Sequence, residues 1–596
     1  MTSSLRLRRA LVAVAMGREP ADVVVRNGRW VCVQSGEIID HTDIAIKAGH
    51  FAFVGPDAGH CIGPATKVIE ANNRYEVPGL LDAHMHVESG MVTVTEFVRA
   101  VMPHGTTGMF VDPHEIANVF GLKGVKLMVD EAAKQPIHVW VEMPSCVPSA
   151  PGLETPGATI GPEEVAEAMT WDRIIGLGEM MSFPGVYNGD PKLLREIVET
   201  EAAGKTVGGH YASPDLGVPF SGYVAGGAED DHEGTRLEDA VARVRQGMKP
   251  MLRYGSAWHD VASQVGAITR RGLDPRRFIL CTDDSHAQTL AHDGHMDRVV
   301  RHAIDKGLPA MTAIQMATLN TAEHFGLDRE MGMIAPGRWA DLVLVRDLRR
   351  FRAELVIAKG QVVASDGKCR VAPPNFKYPR WAEKSVHLKR RVVAQDFVIA
   401  SPHGSSEVKA HVIGVIENQA PTRHMQVRLQ ARDGEVTADP GRDICKVAVI
   451  RRHTGTNGMS KGFVSGFGFR GRCAVASTVA HDCHHLIVVG TDDDDMAAAA
   501  NELARNGGGQ VVIQDGRVIG KVELAIAGLM STKKVAAVAE QAESVLAGFR
   551  ACGCRLNNPN MQLSLLALAV IPDLRITDKG LVDVTKMAFI PLLEKA

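Results

Sequence analysis

Between residues 76 and 330 the chain repeats one pattern about eight times, a short apolar run followed by a helical signal. The runs end at "VPGLLDAH", "TTGMFVD", "PIHVWVE", "RIIGLGE", "KTVGGHY", "VAGGAED", "KPMLRYG" and "FILCTDD". Between them lie "PEEVAEAMTW", "PKLLREIVETEAAGK", "LEDAVARVRQGM" and "HDVASQVGAITRRG", several opened by proline or acidic residues as helices are. Eight β/α units in ~250 residues is the count and length of a (β/α)8 barrel of the TIM type. The alternative is a doubly wound sheet, but no glycine-rich turn follows the first run to support it.

A barrel of this kind carries its chemistry at the C-terminal ends of its strands. The runs place His84 and His86 there on the first strand, then Asp112, His114 and Glu115 on the second and Glu179 on the fourth. His210 follows on the fifth, Asp230, Asp231 and His232 on the sixth, and Asp283 and Asp284 on the eighth. A bare His-x-His is a weak signal, because residues two apart on any strand share a face. Imidazoles and carboxylates converging on one mouth are a strong one, since charges held that close need a cation among them.

Around the barrel the texture changes. Residues 21 to 75 are β-branched runs broken by glycine and asparagine, and similar runs return in "GMIAPGRWADLVLVRDL" and "AELVIAKGQVVASDGK". The two pieces are expected to complete one flanking, β-sandwich-like domain, with the barrel inserted between them. The expected domains are 1–75 (an N-terminal surface helix and the first part of the flanking domain), 76–330 (barrel), 331–400 (second flanking part) and 401–596, a C-terminal α/β unit packed across the barrel mouth. The N-terminal "LRLRRALVAVAMGREP" is broken by Arg18 and lacks a convincing cleavage pattern, so it reads as a helix rather than a signal peptide.

With 45% hydrophobic and 23% charged residues the composition is that of a globular protein, and a net charge of −3 gives no electrostatic argument for nucleic acid or an anionic membrane. No apolar run approaches the ~18 residues of a spanning helix. The 10 cysteines are scattered without C-x-x-C pairs, which argues against a disulfide framework or a zinc ribbon, and the cytoplasm is the default compartment. "GFGFRG" matches G-x-G-x-x-G but opens no helix in a βαβ unit, and the acidic run in "TDDDDMAAAANELARN" is explained by helix capping. The H-x-E…P-C-x-x-C pattern of zinc cytidine deaminases is absent.

The His-x-His after "PGLLDA", the later strand-end histidines, the closing "TDD" and the re-entry "APGRWADLVLV" together resemble the amidohydrolase superfamily of metal-dependent hydrolases. More narrowly, "GLLDAHMHVESGMVTVTEF", "HGTTGMFVDPHEIANVFG", "LCTDDSH", "GFVSGFGFRG" and "ASTVAHDCHHLIVVG" resemble the prokaryotic adenine deaminases over nearly the whole chain. In the C-terminal stretch Cys483 and His485 stand where the family pattern has serine and asparagine.

The resemblance implies two divalent ions per chain, manganese or iron ahead of zinc. His84 and His86 would bind the more buried ion, Glu179 would bridge, His210 would bind the second, and Asp283 would be both ligand and proton shuttle. His232 is expected either as a ligand or as a group polarising substrate. It also implies a purine base as the small-molecule substrate, attacked at C6 by water made nucleophilic by metal, with hypoxanthine and ammonia as products. Glu88, His114 and Glu115 are then the candidates for donating a proton and reading the purine edge, with Asp284 and Ser285 as further substrate contacts. Hydrolysis of a cyclic amide such as a hydantoin or dihydropyrimidine is the competing enzymatic reading, though Glu179 stands where those enzymes usually carry a modified lysine. A non-catalytic barrel relative is the third, and it would be expected to have lost ligands. The expected assembly is a homodimer or higher homo-oligomer.

Overall fold

The computed structural model describes residues 3–595. The eight positions become parallel strands: β1 (Leu80–His86), β2 (Thr106–Val111), β3 (His138–Met143), β4 (Ile174–Met180), β5 (Thr206–Gly209), β6 (Asp230–Asp231), β7 (Lys249–Arg253) and β8 (Ile279–Cys281). β1 to β5 form one parallel group and β6 to β8 another. The ring is completed at both seams: Asp283 and Asp284, just past β8, pair with Met85 and His86 of β1, and the Glu229 N–H donates to Val207 O between β5 and β6. Every residue of β1, β2 and β3 is buried, as expected for parallel strands covered on both faces. That double cover is why they read as unbroken apolar runs.

Two local expectations are corrected. In "VAGGAED" only Asp230–Asp231 is strand, because Val224 and Ala225 end a helix, Val218–Ala225, that buries Phe220 and Tyr223. A short apolar run looks the same on a strand and on the buried side of a helix. "HDVASQVGAITRRG" forms two short helices, Val261–Gln264 and Gly266–Thr269, rather than one. Glycine is disfavoured in a helix interior by about 1 kcal/mol, and the break falls at Val265, directly before Gly266.

The flanking segments meet in a nine-stranded sheet. Tyr75–Pro78 lies antiparallel to Leu342–Val345, so the barrel leaves and rejoins the sheet at neighbouring strands. Gly79 makes the step from sheet to barrel, where a β-carbon would come within 2.0 Å of Thr107 Oγ1. The N-terminal helix, Ser3–Ala15, buries Leu11 and Val14 against Ala45, Ala52 and Cys61.

The C-terminal region is built on a ten-stranded sheet. Its strands alternate their burial. Ala448, Ile450, Ala474 and Ala476 pack on the helix Asp493–Asn506, whereas Val447, Val449 and Val475 belong to the core shared with the helix Val535–Ala551 and the barrel. The acidic run does cap its helix, with the Asp492 side chain accepting from the Asp495 N–H. The glycines of "GFGFRG" lie between two strands and open no helix.

This domain reaches the barrel through the loop after β3. Thr155 N–H donates to Asp578 Oδ1 at 2.9 Å, the Thr577 hydroxyl donates to Leu153 O at 2.6 Å, and His485 Nε2 pairs with Thr155 O at 2.7 Å. It therefore packs across the mouth. Among the described residues no helix is long and apolar enough to cross a membrane.

The β1–β8 seam is pinned by Asp82, which accepts from Thr282 N–H at 2.9 Å and from the Thr282 hydroxyl at 2.6 Å. Asp82→Ala leaves both buried donors unpaired, at ~1–3 kcal/mol each. A fall of about 2–6 kcal/mol in unfolding free energy is expected from urea titration followed by circular dichroism. An unchanged midpoint would mean that the seam is held elsewhere.

Candidate active site

Six strand ends bring their polar side chains together around one carboxylate. Glu179, near the end of β4, has Oε2 at 2.5 Å from His210 Nδ1, 3.0 Å from His232 Nε2 and 3.9 Å from His84 Nε2. Its other oxygen lies 3.3 Å from His114 Nδ1 and 3.9 Å from His86 Nε2. Asp283 Oδ1 is 3.4 Å from His86 Nε2, and its second oxygen accepts from Arg253 at 2.8 Å. Asp283 sits at φ +58°, a left-handed conformation uncommon outside glycine and enriched at functional sites. His232, only one residue past β6, stacks on His84 at 4.1 Å. Its position beside Glu179 and His210 places it with the candidate donors. Of these histidines His210 is the most open, with 20% side-chain exposure.

A second layer orients the first. His86 Nδ1 pairs with Asp112 O at 2.8 Å, which leaves Nε2 facing Glu179 and Asp283. Asp112 Oδ2 accepts the Glu179 N–H at 2.8 Å, and Glu142 Oε2 lies 3.4 Å from His84 Nδ1. Carbonyls and carboxylates behind imidazoles are the usual means of fixing a ligand's tautomer.

Burial alone would depress the His84 imidazole, but the Glu142 hydrogen bond and the nearby carboxylates lift it to about 9. His210 is likewise lifted to about 9, burial being outweighed by Glu179 and Glu233. Burial raises Glu179 and Asp283, yet the surrounding histidines, and Arg253 for Asp283, hold both well below the usual carboxylate range. The mouth is thus a place that draws positive charge.

The donors fit a divalent cation. His84 Nε2, His114 Nδ1, Asp112 Oδ1 and Glu115 Oε2 are buried with no hydrogen-bond partner among the described residues. Ligand atoms of His84, His86 and Glu179 lie within 4.8 Å of one another, as do those of Glu179, His210 and His232, and those of His86, Asp283 and Asp284. Mixed imidazole and carboxylate sets suit zinc, iron and manganese.

Beside this cluster opens a cavity of about 600 Å3. Glu88, Ser89 and Glu115 line its barrel side, Trp258 and His286 come from loops after β7 and β8, and the C-terminal domain contributes the remaining wall. Glu88 Oε1 accepts the Ile116 N–H at 3.3 Å, while Oε2 has no partner among the described residues. Burial and the Glu115 charge push its carboxyl up to about 8, which favours its protonated form. Asp284 accepts from the Ser89 hydroxyl. Ser285 is buried next to it and lies outside the cavity lining, which His286 joins instead.

Three groups escaped the sequence reading. Glu142 and Arg253 close β3 and β7, so the strand-end rule that found the histidines would have found them. Glu233, one residue past His232, pairs with Arg253. It offered no signal beyond adjacency.

A barrel whose strand ends gather imidazoles about a shared carboxylate defines the amidohydrolase class, and the family model described as "Amidohydrolase family" matches residues 75–363. The model described as "Adenine deaminase C-terminal domain" matches residues 419–588. Adenine deaminases of Mesorhizobium japonicum and Ruegeria pomeroyi are 61% and 60% identical, over 96% and 98% of this chain and 95% and 97% of their own. That of Moorella thermoacetica is 49% identical over 98% of both chains. The chain belongs to the adenine deaminase family. Family and donor set together support a divalent metal cofactor.

If His84 and His86 are ligands, His84→Ala and His86→Ala should each lower the metal content, measured by elemental analysis of protein purified without chelators. Chelation should also lower the Tm of the parent protein, because a cation bound only by the folded state stabilises it by mass action. Histidines merely packed on β1 would instead give variants of lower stability with metal retained.

Proposed function

We propose that the protein hydrolyses adenine to hypoxanthine and ammonia, with two divalent ions that His84, His86, Glu179, His210, His232 and Asp283 would hold, manganese or iron ahead of zinc, and the cytoplasm as the compartment. The observation that carries this reading is the juxtaposition of two carboxyl groups with opposite tendencies at one barrel mouth. Asp283 is clamped between His86 and Arg253 and Glu88 stands at the cavity wall with one oxygen unpartnered. Groups whose surroundings push them apart in this way take the base and acid roles.

A divalent cation held by these donors would lower the pKa of water toward neutrality. Asp283 is held ionised, so its carboxylate receives the proton that water gives up as the new bond forms at C6. Glu88 holds a proton at its carboxyl and donates it toward the ring nitrogen, which relieves the charge that addition places there. Asp283 then passes its proton to the departing amine, the bond from C6 to that amine breaks, and the new hydroxyl returns its proton to Glu88, which releases ammonia and hypoxanthine and restores both carboxyl groups. His114 and Glu115, on the helix His114–Phe120 after β2, are proposed to hold the purine edge. The C-terminal domain covers the chamber, limiting competing water.

Ammonia release should be rapid with adenine and low with adenosine and with hydantoin; turnover of hydantoin alone would favour a cyclic-amide hydrolase. Asp283→Asn keeps an oxygen able to ligate but loses the base. Its kcat should fall by about two to four orders of magnitude with at least one metal retained. Near-normal turnover in that variant would move the base to Asp284. Glu88→Gln should lose turnover over a similar ~10²–10⁴ range with metal content unchanged, since an amide carries no transferable proton. An active Glu88→Gln protein would reassign the donor.

A further inference from the structure

The chamber over the barrel mouth is larger than one purine requires. Pockets of ~300–1,000 Å3 enclose drug-sized ligands, and this one measures about 600 Å3. Its outer wall is made by the C-terminal domain and is largely uncharged. His484, Gln510 and Ser564 lie there at 0%, 1% and 3% exposure. Yet His484 Nε2, Gln510 Oε1 and Ser564 Oγ, with Asn560 Oδ1 beside them, have no hydrogen-bond partner among the described residues. Buried polar groups are nearly always paired, and each one left alone costs ~1–3 kcal/mol. Four residues of one cavity lining thus carry unpartnered polar atoms, which a side-chain rotation could offer to something that enters it.

The chemistry of the wall defines the guest. His484 Nδ1 accepts from the Ala480 N–H at 3.2 Å, so Nε2 carries the hydrogen and is a donor. Burial, with the His481 and Arg452 charges, holds that imidazole neutral. Gln510 and Asn560 offer amides and Ser564 a hydroxyl, which gives donors and acceptors without net charge. Amide side chains pair bidentately with purine edges. The frame is fixed: Gln510 belongs to the strand Gly509–Gln514, Ser564 to the helix Pro559–Leu565. Arg452, itself fully buried, donates to His484 O and to Ala527 O.

We propose that His484, Gln510 and Ser564 form a second purine site, a station on the C-terminal wall of the chamber that holds a neutral base beside the barrel mouth. The proposal rests on the reading that the barrel deaminates adenine. It predicts two hypoxanthine molecules per chain, a tight one at the mouth and a weaker one on this wall.

Calorimetric titration of the metal-loaded protein with hypoxanthine, which is not consumed, tests it. Gln510→Leu and Ser564→Ala should each weaken the second event about 10-fold, the worth of one hydrogen bond, while the first event and the metal content stay unchanged. KM for adenine should rise with kcat preserved. Replacing an unpartnered polar group by an apolar one of similar shape is near neutral, so Tm should hold or rise, where a structural role would lower it. One hypoxanthine per chain, or two events that neither substitution alters, overturns the second station. If adenine turnover is intact when that happens, the deaminase reading survives; a parent protein that neither binds hypoxanthine nor deaminates adenine overturns both.

Discussion

Glu179 is the charge on which the barrel mouth depends. A carboxylate buried this deeply is tolerated only when cationic partners surround it. Here the partners come from four different strand ends, His84 and His86 on β1, His114 after β2, His210 after β5 and His232 after β6. Its backbone is held in turn by Asp112, whose own carbonyl orients His86. Metal binding and barrel integrity are therefore coupled, since the cation that makes the site active also relieves the mutual repulsion of the buried carboxylates. The strand Tyr75–Pro78, shared with the flanking sheet, leads straight into β1 through Gly79, so the candidate ligands His84 and His86 are anchored to both domains.

How much of this is legible in the sequence follows from physical scale. Parallel strands covered on both sides leave long apolar runs, so the barrel and its strand-end histidines are readable from local pattern. The segment around Val224 misreads because a short apolar run suits a buried helix face equally well. Glu142 and Arg253 were within reach of the same rule, as both close quoted strands. The outer wall was not legible, because residues 484, 510 and 564 belong to a loop, a strand and a helix that only tertiary packing brings to one cavity. The family departures Cys483 and His485 find their explanation there too. His485 docks on Thr155 of the β3 loop and Cys483 presents its carbonyl to His453, so this stretch joins the domains while its neighbours His481 and His484 face the chamber.

The two ends of the chamber differ in the way a metal-dependent reaction on a neutral base requires. At the barrel mouth, charges are concentrated, buried and compensated by one another, which strengthens every electrostatic contact with a developing transition state. On the C-terminal wall most polar groups are neutral amides and a hydroxyl, with Glu417 and His481 as the ionisable exceptions. A charged outer wall would retain a charged ligand and would perturb the ionisation of Glu88 and Asp283 across a poorly screened space. A neutral wall offers a purine hydrogen bonds without either effect. On this proposal the C-terminal domain does more than close the site: it adds recognition of the base, while the groups that set the ionisation of Glu88 and Asp283 belong to the barrel.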